Sequence, residues 1–328
     1  MSIVYFGTGS FAVPPLEAIA SRVSLVVTQP DRRSGRGMAE QSSQVKLKAL
    51  ELGLPVETPE KARDPSFVSL VASFAPSILV VASYGQILST ALLETAKNGG
   101  INLHGSILPK YRGAAPIQRA ILNGETETGV TLMQMDRGMD TGDMIEIRRT
   151  PIGPDETYGE LQDRLSAHAA EQIGDWVDHL VAGDYPRLPQ DSELATIAPK
   201  ITKEEAELHF DRDAAAEYNR FRAFTPAPGA FISTKFGKVR VSEARLTSPS
   251  AESDPGPTSL VGEGLVPQSK IEWGGRGFSP GTILGPNSVA FANGSLELLQ
   301  VQPEGRKRMS GKDYFNGMRL KVGDSLRE

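Results

Sequence analysis

The 328-residue chain contains no cysteine, only four histidines and only two tryptophans. Without cysteine it cannot form disulfide bonds, thiolate nucleophiles or thiolate metal sites, so acyl chemistry must use another nucleophile, which a substrate can supply. The histidines are widely separated, and none belongs to an HExxH motif. We therefore expect no metal centre.

Long apolar runs are also absent. The chain lacks the roughly 18 uninterrupted apolar residues that make a membrane span. Its amino terminus, MSIVYFGTGS, lacks the basic start and the cleavage site of a secretory signal. These features favour a cytoplasmic protein with no membrane partner, and we expect it to be a monomer.

Positive charge does not predominate, because the formal net charge is −5. This balance argues against indiscriminate nucleic-acid binding. Basic residues nevertheless outnumber acidic ones in two segments, 28–48 and 305–321. Local patches of this kind matter more for binding than the total charge does.

Short β-rich runs alternate with helical patterns in the first half of the chain. Strands are predicted at 3–6, 23–28, 78–82, 101–104 and 130–135. This alternation indicates βαβ units around a mostly parallel sheet, which is a Rossmann-like α/β fold. The turn GTGSF after the first strand lacks the third glycine of the dinucleotide fingerprint, so a dinucleotide site is not expected there.

The clearest helix is predicted over 157–181, with Thr157 and Glu160 in a capping-box pattern. His168 and His179 lie on it, where solvent contact or packing is the ordinary role. The prolines and missing periodicity of the next stretch indicate a linker. We therefore predict a first domain over 1–183, a linker over 184–203 and a second domain over 204–328.

The second domain shows a short amphipathic helix at 214–224, followed by short strands with glycine-rich turns. This pattern favours a small β-barrel. The strands are predicted at 230–234, 238–242, 281–284, 288–292 and 296–301. A Pro-, Ser- and Gly-rich stretch at 247–280 is interpreted as an inserted surface loop.

The most specific candidate site lies in the segment 99–143, GGINLHGSILPKYRGAAPIQRAILNGETETGVTLMQMDRGMDTGD. Asn102 and His104 are two residues apart on a predicted strand, so their side chains share one face. Asp140 follows the next strand and can reach that face. An amide, an imidazole and a carboxylate at the carboxyl edge of a parallel sheet suit proton transfer and oxyanion stabilisation. Taken singly, each is more often a hydrogen-bonded core or turn residue.

Four runs together resemble the methionyl-tRNA formyltransferases: INLHGSILPKYRGAAPIQRAI, ETGVTLMQMDRGMDTGDM, TQPDRRSGRG and RAFTPAPGAF. The first two are shared with the wider folate-dependent formyltransferases, whereas the DRRSGRG loop and the second domain specify tRNA. The resemblance implies that the formyl group of 10-formyltetrahydrofolate passes to the α-amino group of methionyl initiator tRNA. It also implies an oligonucleotide-binding (OB-like) barrel as the second domain.

The resemblance implies that Asn102, His104 and Asp140 act as a unit. Asn102 offers an N–H to the developing oxyanion, and protonated His104 offers another. Asp140 favours the imidazolium and helps to remove the amine proton.

Two short runs are candidates for the folate site. In the family the run SILP lines this site, which implies roles for Ser106, Ile107, Leu108 and Pro109; the plain alternative is a β-turn. A second run borders the same pocket by its position after the third predicted strand, and it comprises Tyr84, Gly85, Gln86, Ile87 and Leu88.

Basic residues supply the candidate tRNA contacts. Arg32, Arg33 and Arg36 lie in a glycine-containing loop that matches the family's DRxxGRG pattern and suits phosphate neutralisation, although a charged loop is ordinarily only solvated. Further contacts are expected on the barrel. They involve Lys203, Arg306, Lys307, Arg308 and Lys312. The stretch 247–280 departs from the family pattern.

Other functions remain open from the sequence. A formyltransferase for a sugar nucleotide or glycinamide ribonucleotide, or a hydrolase that releases formate, would share the first two runs, but the arginine loop argues against them. A non-catalytic tRNA-binding protein with an ancestral fold is another class. Such a module has no need to keep Asn102, His104 and Asp140 together.

Overall fold

The structure is a computed structural model that describes residues 1–34, 39–247, 271–273 and 276–327. The chain divides into two compact units. The first comprises Met1–Ala120, Glu125–Gly153 and Glu160–Lys200, and the second comprises Ile121–Gly124, Pro154–Gly159 and Ile201–Glu328. The stretch predicted as a linker therefore falls largely within the first unit.

The first unit is built around a central β-sheet. Its strands are β1 (Ile3–Gly7), β2 (Val23–Val27), β3 (Arg32–Ser34), β4 (Ala39–Gln41), β5 (Val56–Glu57), β6 (Ile78–Ala82), β7 (Gly100–His104), β8 (Arg112–Gly113), β9 (Glu127–Gln134), β10 (Met144–Pro151) and β11 (Ile197–Ala198). Seven strands form one sheet in the order β10-β9-β7-β6-β1-β2-β5. Two small pairs, β3-β4 and β8-β11, lie outside it.

The central sheet is mostly parallel, as predicted. Strands β7, β6, β1, β2 and β5 run in the same direction. Strand β9 is antiparallel to β7, and β10 is antiparallel to β9, so the predicted strand at 130–135 belongs to an edge hairpin. The strand order reverses between β1 and β6. In open α/β sheets the crevice at such a switch point, beside the carboxyl ends of the strands, is the usual ligand site.

Helices alternate with these strands along the chain. They are α1 (Val13–Ala18), α2 (Gln44–Glu51), α3 (Pro65–Ser73), α4 (Thr90–Leu93), α5 (Pro116–Leu122) and α6 (Tyr158–Ala182). Every residue of β1 and β6 is buried, as expected for parallel strands covered on both faces. On α6 the buried stripe includes Leu161, Leu165, Ile173 and Leu180. Within the described ranges, none of the helices is both long and apolar enough to cross a membrane.

The second unit contains a mixed sheet. Its elements are β12 (Glu207–Leu208), α7 (Ala214–Ala223), β13 (Phe231–Thr234), β14 (Gly237–Thr247), β15 (Ile271–Trp273), β16 (Arg276–Phe278), β17 (Ser288–Phe291), β18 (Gly294–Pro303), β19 (Met309–Ser310) and α8 (Gly311–Gly317). The order is β12-β13-β14-β18-β17, with β19 on β18. Only the pairing of β12 with β13 is parallel among these strands.

Two details of the second unit differ from the prediction. The strand predicted at 281–284 is wrong, because Thr282 and Ile283 each make one isolated bridge, to Ser325 and Val289 respectively. Pairing with two different segments prevents a continuous ladder. The stretch 247–280 lies mostly outside the described residues, but its described part includes the hairpin of β15 and β16.

Candidate active site

Asn102 and His104 project from the carboxyl-terminal half of β7. This strand lies between β6 and β9, with Asn102 opposite Met133 and His104 opposite Thr131. His104 is buried, with 4% of its surface exposed, whereas Asn102 is half-buried. The alternation of side chains along β7 therefore directs both polar groups to one side of the sheet.

The carboxylate of Asp140 is the centre of a polar cluster. Its Oδ1 accepts a hydrogen bond from Asn102 Nδ2 at 3.1 Å, and its Oδ2 accepts one from the backbone amide of Gly113 at 2.9 Å. Oδ2 also lies 3.6 Å from Nδ1 of His104. The structure thus brings together the three residues that the sequence nominated and adds a backbone donor.

Hydrogen bonding defines the tautomer of the neutral His104 ring. Its Nε2 lies 2.8 Å from the backbone carbonyl oxygen of Tyr111. A carbonyl oxygen can only accept, so Nε2 carries a hydrogen. In the neutral ring the lone pair is therefore on Nδ1, the nitrogen that faces Asp140. This nitrogen is placed to take up a proton, after which the carboxylate stabilises the resulting charge.

The backbone around the carboxylate adopts uncommon conformations. Asp140 has a φ of 55°, in the left-handed region that few residues other than glycine adopt. Gly113 has a φ of 120°, and a Cβ there would lie 2.8 Å from the carbonyl oxygen of Ala198. Thr141 Oγ1 donates to Asp136 Oδ1 at 2.7 Å, which ties the loop together from within. Glycine at 113 therefore allows the close approach that delivers its amide to Asp140.

The cluster opens into a cleft of about 410 Å³. One wall, which we call the β6 wall, is the segment that follows β6, and it comprises Tyr84, Gly85, Gln86, Ile87 and Leu88. Leu103, Met133 and Met135 supply apolar lining elsewhere, beside Asn102 and His104. The lining of the cleft therefore combines apolar side chains with the polar cluster.

Individual residues of the β6 wall have different contacts. Gln86 Oε1 accepts from the Ala62 amide at 2.8 Å, so this side chain fixes the wall. Tyr84 packs edge-on against Phe6, with ring centroids 5.2 Å apart, and burial raises the pKa of its phenol to about 12. Ile87 is 78% exposed at the cleft. The contacts of Gln86 and Tyr84 thus hold the wall in place, and Ile87 presents an apolar side chain to solvent.

The SILP run does not line this cleft. Ile107, Leu108 and Pro109 line a separate cavity of about 320 Å³. Ser106 is buried, and its hydroxyl donates to the Lys110 carbonyl at 2.7 Å. The Leu108 amide donates to Thr131 Oγ1 at 3.1 Å, and this hydrogen bond ties the run to β9. The structure therefore brings the β6 wall to Asn102 and His104, but not the side chains of the SILP run.

The basic loop begins beside the β6 wall. Arg32 donates from Nη2 to Gln29 Oε1 at 3.2 Å, and Gln29 Nε2 donates to the Tyr84 carbonyl at 3.2 Å. At the base of the β3–β4 hairpin, Lys46 Nζ lies 2.6 Å from Asp31 Oδ2. The hydrogen bond from Lys46 lowers the pKa of the Asp31 carboxyl. Arg36 lies outside the described residues, as does the side chain of Arg33.

The basic residues nominated in the second unit are all exposed. Arg306, Lys307 and Arg308 lie in the turn between β18 and β19, and Lys203 immediately precedes a short 3₁₀ helix. Arg308 forms an ion pair with Glu243. These positions leave the side chains accessible to an anionic partner.

Two contributors to the cluster were missed by the sequence analysis. The amide of Gly113 reaches Asp140, and the side chain of Gln190 donates to the carbonyl oxygens of Asp140 and Gly142, at 2.8 Å each. Gln190 lies in the stretch predicted as a linker. Its partners are 50 and 48 residues away in the chain, so no local pattern indicates the contact.

Known proteins resemble this chain over almost its whole length. The family model "Formyl transferase" matches residues 1–175, and "Formyl transferase, C-terminal domain" matches residues 200–319. The methionyl-tRNA formyltransferase of Sorangium cellulosum is 42% identical over 325 residues, which cover 98% of either chain. That of Geobacter metallireducens is 40% identical over 330 residues, which cover 99% of this chain and 98% of the relative.

A solved structure supports the fold assignment. The sugar 3N-formyl transferase WlaRD, crystallised with dTDP and 5-N-formyl-THF, matches with a TM-score of 0.62 at 17% identity. The match covers 94% of this chain and 99% of that one. At this identity the likeness concerns the fold alone.

Proposed function

The chain belongs to the methionyl-tRNA formyltransferase family, and we propose that it transfers a formyl group from 10-formyltetrahydrofolate to the α-amino group of methionyl initiator tRNA. The product is formylmethionyl-tRNA for translation initiation, and the proposal includes a cytoplasmic location, where charged tRNA is used. The observation that carries the proposal is the meeting of Asn102, His104 and Asp140 in the lining of the cleft.

His104 acts first as the proton acceptor. The amine must attack in its neutral form, and its nitrogen gains positive charge as the N–C bond forms. Nδ1 of His104 carries the lone pair that can take the amine proton, because Nε2–H is held by the Tyr111 carbonyl. Asp140 then faces the imidazolium across 3.6 Å and stabilises it. As the bond from the formyl carbon to the donor nitrogen breaks, Nδ1–H returns the proton to that nitrogen.

Asn102 stabilises the negative charge that develops on the formyl oxygen. One of its two amide hydrogens is donated to Asp140 Oδ1. That bond fixes the plane of the amide and leaves the second hydrogen for the oxyanion. This assignment differs from the sequence-based expectation in two respects: His104 rather than Asp140 takes the amine proton, and the protonated histidine donates to the departing nitrogen rather than to the oxyanion.

The cleft fits a planar heterocyclic formyl donor. Leu88, Leu103, Met133 and Met135 line the cleft and offer apolar surface to the faces of such a ring. When bound, 10-formyltetrahydrofolate supplies the activated formyl group. We assign the β6 wall to this donor on the basis of its place in the cleft. The SILP run contributes through its backbone, which is hydrogen-bonded to Thr131 of β9, rather than by side-chain contact with the donor.

The tRNA partner is assigned to the basic residues. Arg32 lies beside the β6 wall, and Arg33 and Arg36 share its loop, which suits contacts with phosphates near the acceptor end. We propose that the second unit is an OB-like barrel. Its mixed sheet and the exposed side chains of Lys203 and 306–308 support contacts along the tRNA backbone. We assign formyl transfer and the contacts of the arginine loop to a first domain over 1–183, the further tRNA contacts to a second domain over 204–328, and the connection along the chain to 184–203.

A formylation assay with several acceptors tests the proposed function. The purified chain is given 10-formyltetrahydrofolate with charged initiator tRNA, charged elongator tRNA, or an amino-sugar nucleotide. We expect formylmethionyl initiator tRNA as the main product. Preferential formylation of the sugar nucleotide, or release of formate without any acceptor, would assign the site to another member of the superfamily. Binding of tRNA without consumption of the donor would indicate a binding protein.

A further inference from the structure

Gln190 contacts the loop that carries Asp140, although it lies in the stretch that follows α6. Its Nε2 donates to the carbonyl oxygen of Asp140 and to that of Gly142, each at 2.8 Å. Its Oε1 accepts a hydrogen bond from Nε of Arg112 at 3.0 Å. The amide orientation is defined by these partners, because a guanidinium can only donate and a carbonyl oxygen can only accept.

The backbone around Gln190 holds the neighbouring parts of the site. Leu188 and Met144 exchange two backbone hydrogen bonds of 2.9 Å, at the point where β10 begins after the Asp140 loop. Ala198 pairs with Gly113 in the β8–β11 bridge, and the Arg112 amide donates to the Thr196 carbonyl at 2.8 Å. Residues 188–198 thus contact both the loop that carries the Asp140 carboxylate and the strand that donates to it.

Asp140 needs such support because of its backbone conformation. Its φ of 55° is disfavoured for a residue with a Cβ, and such conformations persist where the surroundings hold them. Gln190 binds the peptide carbonyls of residues 140 and 142, one on each side of Thr141. Fixing these two peptide groups fixes the direction in which the Asp140 side chain leaves the backbone.

We infer that Gln190 is a positioning residue for formyl transfer: through its two hydrogen bonds it holds the Asp140 loop in the conformation that presents the carboxylate to Asn102, Gly113 and His104. The expected effect on turnover rests on the proposed function, whereas the effect on the conformation of the Asp140 loop can be measured independently of it. Gln190 does not line the cleft of Asn102 and His104. Its loss should therefore lower turnover more than it lowers the affinity for either substrate.

The test compares two substitutions of Gln190 in the full chain. Gln190→Ala removes all three hydrogen bonds, whereas Gln190→Glu retains the acceptor for Arg112 and loses both donations to the loop. We expect both variants to lower kcat about tenfold to a hundredfold, because displacements of about 1 Å cost rates of this size. The KM values for tRNA and donor should change less than threefold.

A second measurement reports the conformation of the Asp140 loop and does not depend on catalysis. The Gly113 amide donates to Asp140 Oδ2, so its hydrogen exchange monitors whether the carboxylate is in place. Both variants should accelerate this exchange at least tenfold. Glu193→Ala is the matched control, since the Glu193 side chain is exposed and its backbone amide keeps the hydrogen bond to Asp191 Oδ1 at 2.9 Å. This control should retain the wild-type kcat and Gly113 exchange.

The outcomes separate the positioning role from general stability and from the proposed function. Wild-type kcat and exchange in Gln190→Ala would overturn the inference. Loss in Gln190→Ala with full activity in Gln190→Glu would also overturn it, because the contact with Arg112 would then be the one that matters. If the wild-type chain fails to formylate methionyl-tRNA, the proposed function fails, while the Gly113 exchange still decides the role of Gln190.

Discussion

Replacing Asp140 with asparagine removes the charge that faces His104 and keeps the size of the side chain. In the wild-type chain both carboxylate oxygens face donors, Asn102 Nδ2 at 3.1 Å and the Gly113 amide at 2.9 Å. An asparagine side chain has one oxygen and one NH₂ group. Whichever way it is turned, Asp140→Asn sets a donor against a donor at one of the two positions.

The expected cost follows from the distance between the charges. At 3.6 Å an imidazolium and a carboxylate interact by about 4 to 5 kcal/mol at an effective dielectric constant of about 20. The Asp140 side chain is 15% exposed, so solvent screens part of this interaction. Allowing for screening, we expect the barrier to rise by about 3 kcal/mol, which lowers kcat by about a hundredfold.

The assay measures steady-state formylation of charged initiator tRNA at saturating donor. Asp178→Asn provides a matched loss of one carboxylate, because Asp178 pairs with Arg22 at the surface and is 57% exposed. This control should retain wild-type kcat. A folded Asp140→Asn variant with kcat within threefold of wild type would show that the carboxylate does not stabilise a charged His104.

Other substitutions test the remaining parts of the account. Asn102→Ala removes the proposed oxyanion donor and should lower kcat about a hundredfold, a loss of about 3 kcal/mol, with little change in the KM for tRNA; an unchanged kcat would exclude that role. Arg36→Ala should raise the KM for tRNA and flatten its dependence on salt, while the KM for the donor stays constant; unaltered tRNA kinetics would remove it from the interface. Gly113→Ala forces a Cβ into a φ of 120° and should cost about 1 to 3 kcal/mol of stability, seen as a lower Tm; an equal Tm would contradict the strain argument. Lys46 lowers the pKa of the Asp31 carboxyl, so this ion pair contributes stability above the ordinary carboxyl pKa of about 4, and the contribution is lost as the pH falls through the lowered pKa. An NMR titration should show the pKa of Asp31 rise toward its ordinary value in Lys46→Met, and an unchanged pKa would exclude Lys46 as the cause of the shift.

Local sequence patterns predicted the elements that depend on local periodicity. The strand at 78–82 was predicted at its observed bounds, and the helix predicted over 157–181 is α6, Tyr158–Ala182. The common face of Asn102 and His104 follows from the two-residue period of a strand alone. These features need no knowledge of partners distant in the chain.

Contacts between distant segments could not be predicted in the same way. The Tyr111 carbonyl that sets the ring proton of His104 depends on how the chain turns after β7. The attachment of Leu108 to β9 depends on Thr131, which lies 23 residues further along the chain. The isolated bridges of Thr282 and Ile283 likewise depend on the carboxyl-terminal segment and on β17. Such contacts form only in the assembled fold, and a short window of neighbouring residues contains no signal that predicts them.

Single-turnover formylation by His104→Ala measures whether the imidazole takes the amine proton. With enzyme in excess over charged initiator tRNA and with saturating donor, the rate of formylmethionyl-tRNA formation reports the chemical step without product release. We expect a rate at least a hundredfold below that of the wild-type chain, with donor binding retained. A rate within a few-fold of wild type would contradict the claim that Nδ1 of His104 accepts the amine proton.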